Sequence, residues 1–316
     1  MKKALVALLI ILSVSVSPAY SYWIWTPKTG KFVNPKTAVK DSPKEQFAFA
    51  KGFYDQKKYE EAKREFRKLV RNYPKSFEAS ESQYYLGVID EAQDNLYEAF
   101  KTYQKVIDKY PFSERIQDII EREYKIGEAF MEGKAKRKAF GMELPVENPS
   151  IEIFSKVVEN STYGPLAPAA QYKLGLILKE LQRYYEAEEA FNKVISNYPE
   201  SSWVEASKFQ IASCQAATSR GSDYDQVATS EAKQKFEQFV REHPDAALSY
   251  DAQKNINQLR QKEAESDYNV GRFYEKQRAY DAARVYYNEL VDKYSDTPWA
   301  AKAIERLRIM EKKNEK

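Results

Sequence analysis

The sequence predicts an all-α fold, a tetratricopeptide-repeat superhelix of about six helix–turn–helix units closed by a C-terminal capping helix. Three observations carry that prediction: a spacing ladder copied along the chain, apolar residues at helical rather than alternating intervals, and proline–serine punctuation between units. The ladder steps from a small residue twelve places to Ala, four to an aromatic and eight to Pro, as in Gly175, Ala187, Phe191 and Pro199. The same steps give Ala50, Ala62, Phe66, Pro74; Gly87, Ala99, Tyr103, Pro111; and Gly271, Ala283, Tyr287 with Ser295 in the last place. Two copies carry insertions, Gly127 with a late Ser150 and Phe154, and Ala212 with a late Ala232, Phe236 and Pro244. A chain of 316 residues suits such an array, because each repeat contacts mainly its neighbours and no single core limits the length.

In chain order, Met1–Ser21 reads as a cleaved secretory signal: Lys2 and Lys3, an apolar run from Ala4 to Leu12, then Ala19-Tyr20-Ser21 as the small-residue cleavage point. The apolar run is shorter than the roughly 20 residues of a spanning helix. Tyr22–Ser42 is an extended Trp-rich segment with Trp23, Trp25 and Phe32 in one register around a Pro27–Gly30 turn. A lone hairpin is marginal in water, so it either docks on the first repeat or a partner or is a loose tail.

Residues 43–200 hold units one to four. Pro43 opens them; Phe47, Phe49 and Phe53 line the first helix, and Tyr59, Ala62, Phe66, Leu69 and Val70 the second. Ser76, Ser113 and Ser201 or Ser202 follow the unit-ending prolines as N-caps, and Ser202 with Glu205 fits a capping box. The third unit carries an insertion at 134–149 whose Lys134, Lys136, Arg137 and Lys138 form a basic run. Residues 201–316 hold units five and six: an exposed loop at 218–229, one long helix over Asp251–Gln277, and a closing helix over Trp299–Met310 ahead of a frayed Lys312–Lys316.

Composition bounds the chemistry. Fifty Lys+Arg against 47 Asp+Glu is too even for nucleic-acid binding. One Cys and one His give no disulfide and no zinc set, so no cofactor or metal is expected. Cys214 reads as a small buried filler and His243 as a helix-end residue. Carboxylate pairs such as Glu61 and Glu65 read as solvated helix faces, and no paired acid and base marks an enzyme.

One stripe invites a functional reading. An aromatic stands three places before each small residue: Phe47, Tyr84, Tyr124, Tyr172, Phe209 and Tyr268. These rings either line a peptide groove or pack between neighbouring helices. Lys51, Glu91, Lys179, Arg272 and Glu275, one turn on, are candidates for the wet part of such a groove.

The stretch SDYNVGRFYEKQRAYDAARVYYNELVDKYSDTPWAAKAIERL, Ser266–Leu307, resembles the closing repeat of the BamD family, periplasmic subunits of the outer-membrane β-barrel assembly machinery. The preceding SRGSDYDQVATSEAKQKFEQFVREHPD resembles that family's long-loop repeat, and the likeness extends over about Lys44–Leu307. The resemblance implies a non-enzymatic scaffold that binds the periplasmic domains of a BamA-like barrel protein and receives unfolded outer-membrane proteins. It implies partner docking by Arg272, Glu275, Arg278, Arg284 and Tyr286, and a client groove at Phe47, Lys51, Tyr54, Tyr84, Val88 and Glu91. It implies a periplasmic location at the inner face of the outer membrane, with peripheral contact to that membrane. The family's members usually carry a lipidated Cys after the signal; here none follows it, and six units stand where five are typical. A periplasmic adaptor of the Tol–Pal and cell-envelope coordination type, which shares the YxLG…YP style of repeat, is the alternative.

Overall fold

The structure is a computed structural model and describes residues 23–26, 30–34, 38–135, 138–139, 142–143, 148–219 and 226–314. The signal at 1–21, Lys136 and Arg137 of the basic run and residues 220–225 of the expected 218–229 loop lie outside the described residues, and that loop ends early because a helix begins at Val227.

Among the described residues thirteen helices follow one another: α1 Pro43–Asp55, α2 Tyr59–Asn72, α3 Phe77–Ala92, α4 Leu96–Lys109, α5 Ile116–Met131, α6 Ser150–Asn160, α7 Ala167–Glu180, α8 Tyr184–Asn197, α9 Trp203–Thr218, α10 Val227–Glu242, α11 Ala247–Lys276, α12 Tyr280–Lys293 and α13 Pro298–Asn314. The first twelve form six successive hairpins, and α13 closes the last. The long helix was expected from Asp251; it begins four residues earlier, at Ala247. Lys312–Asn314, expected to fray, continue α13. Two short antiparallel ribbons complete the secondary structure among the described residues: β1 Ile24–Thr26 with β2 Lys31–Val33, and β3 Lys138–Ala139 with β4 Met142–Glu143.

The chain divides into two compact units, Met1–Asp94 with Lys101–Ser113, and Asn95–Phe100 with Glu114–Lys316. In the first, Ala50, Ala62, Phe66, Leu86 and Ile89 form a buried cluster. In the second, three clusters succeed one another, around Phe191, around Phe236 and Phe239, and around Tyr287 and Leu290.

The ladder is a steric device. A Cβ added at Gly87 would lie 2.4 Å from the Tyr103 ring, and one at Gly175 would lie 2.5 Å from the Phe191 ring. Glycine therefore lets the second helix press its aromatic directly onto the first helix's backbone.

The turn inside the uninserted hairpins is equally regular. Lys57, Asp94, Gln182 and Arg278 stand seven residues after the small residue with φ of 58°, 59°, 60° and 62°. At Gln182 the Schellman pattern is complete: its N–H donates to the Lys179 carbonyl at 2.9 Å, and the Arg183 N–H donates to the Leu178 carbonyl at 2.9 Å. Lys57 with Lys58, and Arg278 with Ala279, repeat it. None of these four residues is glycine, although the left-handed region favours it.

Starts are less uniform than the serine pattern suggests. Ser42 and Ser76 cap α1 and α3, accepting from the Glu45 and Ala79 amides at 3.2 and 3.1 Å. The capping box at Ser202 does not form: Ser202 already has helical φ and ψ and makes no side-chain cap bond. Instead Ser201 Oγ accepts from the Trp203 amide at 3.2 Å. Ser113 does not cap a helix either, since α5 begins at Ile116; its hydroxyl accepts from Ser80 at 2.7 Å.

Candidate functional site

The aromatic stripe belongs to the core rather than to an open groove. Tyr84 is buried and lies 6.0 Å from Tyr103, ring to ring. Phe47 meets Phe66 and Tyr85, each at 5.8 Å. Tyr124 packs on Phe154, Tyr172 on Phe191 and Trp203, Phe209 on Phe236, and Tyr268 on Tyr287 and Trp299. Each first-helix ring thus meets the ladder aromatic of its own second helix. In the four uninserted hairpins three before the small residue faces sixteen after it; the insertions lengthen the second step to twenty-seven after Gly127 and twenty-four after Ala212.

A second core relation escaped the sequence reading. Four places before the small residue, Gln46, Gln83 and Gln171 are buried. Each side-chain amide donates to a carbonyl of the paired second helix: Glu65 at 3.1 Å, Thr102 at 3.3 Å and Ala190 at 3.1 Å. The signal was present as a Gln recurring at one register position. Asp267 holds that position in the sixth hairpin, and burial raises its pKa above the ordinary value, with Glu263 and Glu289 adding to the rise and Lys293 opposing it.

In the first unit, the client-groove residues that share a surface are Lys51 and Tyr54. The Lys51 ammonium lies 4.8 Å from the Tyr54 ring centroid and 5.2 Å from that of Tyr85, and it pairs with Asp55. Burial lowers the Lys51 pKa, but the Asp55 hydrogen bond and the neighbouring charges outweigh it and leave the ammonium held above its usual value. Val88 is half-buried. Glu91 is engaged within the fold, accepting from the Tyr103 hydroxyl at 2.8 Å. Glu65, read as a solvated carboxylate, is buried and accepts from Lys68 at 2.7 Å and from Gln46 at 3.1 Å. A core-facing helix position admits a carboxylate when donors converge on it.

In the second unit, the docking residues divide. Glu275 is committed internally: it accepts from Arg306 Nε at 3.0 Å and from the Tyr287 hydroxyl at 3.1 Å, and both bonds help hold its carboxyl below the usual range. Arg284 pairs with Asp281 at 3.3 Å. Arg278 is exposed at the left-handed turn position, and Arg272 is half-buried. Tyr286 stacks on Tyr274 at 5.2 Å with the planes 10° apart, and the exposed Phe273 meets Tyr274 edge-on at 5.5 Å. Phe273 and Tyr274 went unnoticed in the sequence because their register positions follow no ladder step.

Cys214 is buried, and burial pushes its thiol up to about 11, away from thiolate chemistry. His243 is half-buried, packs tilted against Phe239 with ring centroids 5.2 Å apart, and lies 3.8 Å from both Glu205 and Glu242. Lys179 donates to Gln210 at 2.6 Å and is lowered by burial. Among the described residues no group of three His, Cys, Asp or Glu side chains converges as a metal site. Among the same residues no helix is long and apolar enough to cross a membrane.

Comparison with known proteins adds the following. Residues 211–316 match the family YfiO, described as outer membrane lipoprotein. Residues 47–114 and 169–201 match tetratricopeptide repeat families. No curated protein matches the sequence significantly. Among solved structures, the C-terminal part of a TPR repeat-containing protein from Cytophaga hutchinsonii is 18% identical, with 83% of this chain and 88% of that chain covered and a TM-score of 0.37. A tetratricopeptide repeat protein from Parabacteroides merdae is 15% identical over 84% of this chain and 98% of that one, with a TM-score of 0.33. The chain therefore carries tetratricopeptide repeats, and its C-terminal part is similar to a family of outer membrane lipoproteins.

Proposed function

We propose that the protein is a BamD-like periplasmic scaffold of the machinery that assembles β-barrel proteins into the outer membrane, and that it performs no reaction of its own. One observation carries the reading: the segment similar to the outer membrane lipoprotein family, 211–316, is also the segment that presents Arg272, Arg278 and the Phe273–Tyr274–Tyr286 ledge. In this reading the ledge docks the periplasmic domains of a BamA-like barrel protein. The first unit's Lys51–Tyr54–Tyr85 surface receives segments of unfolded outer-membrane proteins. The protein works at the inner face of the outer membrane.

Capture of purified periplasmic domains of the barrel protein tests the docking. The wild-type chain retains them, and Arg272→Glu with Arg278→Glu reduces capture at least about tenfold, the loss of one or two hot-spot side chains, while helicity is unchanged. Undiminished capture by the double variant contradicts the placement. Capture of peptidoglycan-associated partners in place of the barrel domains replaces this reading with an envelope-coordination adaptor of the Tol–Pal type.

A further inference from the structure

The second helix of the first hairpin carries an unneutralised row of arginines. Arg64, Arg67 and Arg71 recur at steps of three and four, so they stand on one face of α2, and all three are exposed. Arg67 and Arg71 have no carboxylate partner among the described residues. Arg64 has only Glu65 at 3.7 Å, a carboxylate already held by Lys68 and Gln46. Glu60 is the single acidic residue lining that face, and it accepts from Gln93 at 3.1 Å. Like charges one turn apart repel, so the row favours an anionic occupant.

A second feature of the same unit points to the kind of anion. Trp23, Trp25 and Phe32 on the β1–β2 hairpin are 62%, 50% and 63% exposed, with Trp25 and Phe32 directly paired across the strands and 5.2 Å apart. Of the outcomes open to the hairpin, docking on the first repeat, docking on a partner or a loose tail, the first does not cover these rings. Its exit is tied to the arginine helix: the Tyr73 hydroxyl, one residue beyond α2, donates to the Lys40 carbonyl at 2.5 Å. The hairpin and the arginine helix belong to one compact unit, and Val33 stands seven positions before Lys40, a reach of at most about 25 Å. An acidic polypeptide would satisfy the arginines and leave the tryptophans bare. A phospholipid surface satisfies both, because guanidinium binds phosphate bidentately and indole settles at the headgroup level.

We infer that the first unit lies on an anionic phospholipid surface, with Arg64, Arg67 and Arg71 on headgroup phosphates and Trp23, Trp25 and Phe32 at the headgroup–acyl boundary. The inference does not rest on the scaffold reading. Flotation of the full chain with vesicles of phosphatidylglycerol and phosphatidylethanolamine, against vesicles of phosphatidylcholine alone, tests it. The anionic vesicles carry the protein and the neutral ones carry far less. The Arg64→Gln, Arg67→Gln, Arg71→Gln variant loses affinity about a hundredfold, the scale that three basic side chains supply near such a surface. Trp23→Ser with Trp25→Ser weakens binding separately. Unaltered circular dichroism keeps both comparisons valid, and a blue shift of tryptophan emission that disappears in the Trp variant reports insertion in the native sequence. Absence of binding to the anionic vesicles, equal binding by the triple variant, or binding of a polyglutamate peptide without binding of vesicles overturns it.

Discussion

Tyr287 donates its hydroxyl to Glu275 at 3.1 Å, and Tyr103 donates to Glu91 at 2.8 Å, in each case twelve residues back along the chain. In these two hairpins the ladder aromatic is Tyr, and a Glu stands four places after the small residue to receive it. Where Phe191 fills the ladder, Lys179 occupies that place. Burial comes first among the causes that raise the Tyr287 pKa, with the Glu275 hydrogen bond next. Tyr287→Phe removes a hydrogen bond to a charged group and leaves Arg306 as the acceptor's partner. It is expected to lower stability by about 1–2 kcal/mol, read from chemical unfolding; no change contradicts the pairing.

The same site sets an acid response. The Glu275 carboxyl is lowered from its ordinary value, chiefly by the Arg306 hydrogen bond and against the effect of burial. A carboxylate whose folded pKa lies below its unfolded one adds stability above the unfolded value, near 4.5, and that stability is lost as pH falls through the folded value. Glu275→Gln should therefore flatten the acid limb of the stability curve. An acid limb identical to that of the wild type contradicts the assignment.

Asp267 works in the opposite sense. Its folded pKa is raised by burial above the ordinary 3.8, so the group penalises the fold once pH rises past the folded value. Gln at the matching place in three other hairpins donates to the second helix's backbone. Asp267→Gln should gain about 1 kcal/mol at neutral pH and nothing at pH below 3.8, measured by denaturant unfolding at both conditions. A loss at neutral pH argues against the register.

Glycines in this chain divide by surroundings. A Cβ at Gly175 would lie 2.5 Å from the fully buried Phe191 ring, whereas one at Gly52 meets nothing within 4 Å. Gly175→Leu should cost about 3 kcal/mol through overpacking, and Gly52→Ala should gain about 1 kcal/mol from helix propensity. Thermal unfolding of the two variants should move in opposite directions.

The hairpin turns offer a third handle on stability. Gln182 has φ of 60° in a Schellman motif. Gln182→Gly should gain about 0.5–1 kcal/mol, the left-handed strain relieved less the added chain entropy. Gln182→Val should lose more than that, as a higher or lower thermal midpoint shows directly.

The architecture was legible because the ladder encodes contact: in the uninserted hairpins a small residue and an aromatic sixteen places later pack together, so spacing alone located those helices and their pairing. Local chemistry was legible at Ser76, which caps its helix, while the Ser42 cap went unread. It failed at Ser202, where the chain enters the helix one residue early and leaves Ser201 to take the amide. The surface was harder. Tyr84 and Phe47 have the amphipathic look of groove residues, yet the ladder aromatics cover them. Glu275 read as a free charge because its partner, Arg306, stands 31 residues on in the closing helix. A periodic pattern reports which face of a helix turns inward; it does not report which distant side chain closes over a charge.

A photocrosslinking residue placed at Tyr286 and activated in the intact cell envelope tests the scaffold reading most directly. The account predicts one dominant adduct, between this chain and the periplasmic domains of the barrel-assembly protein. An adduct with a peptidoglycan-associated protein, or none above the level seen from the solvent-facing Tyr250, contradicts it.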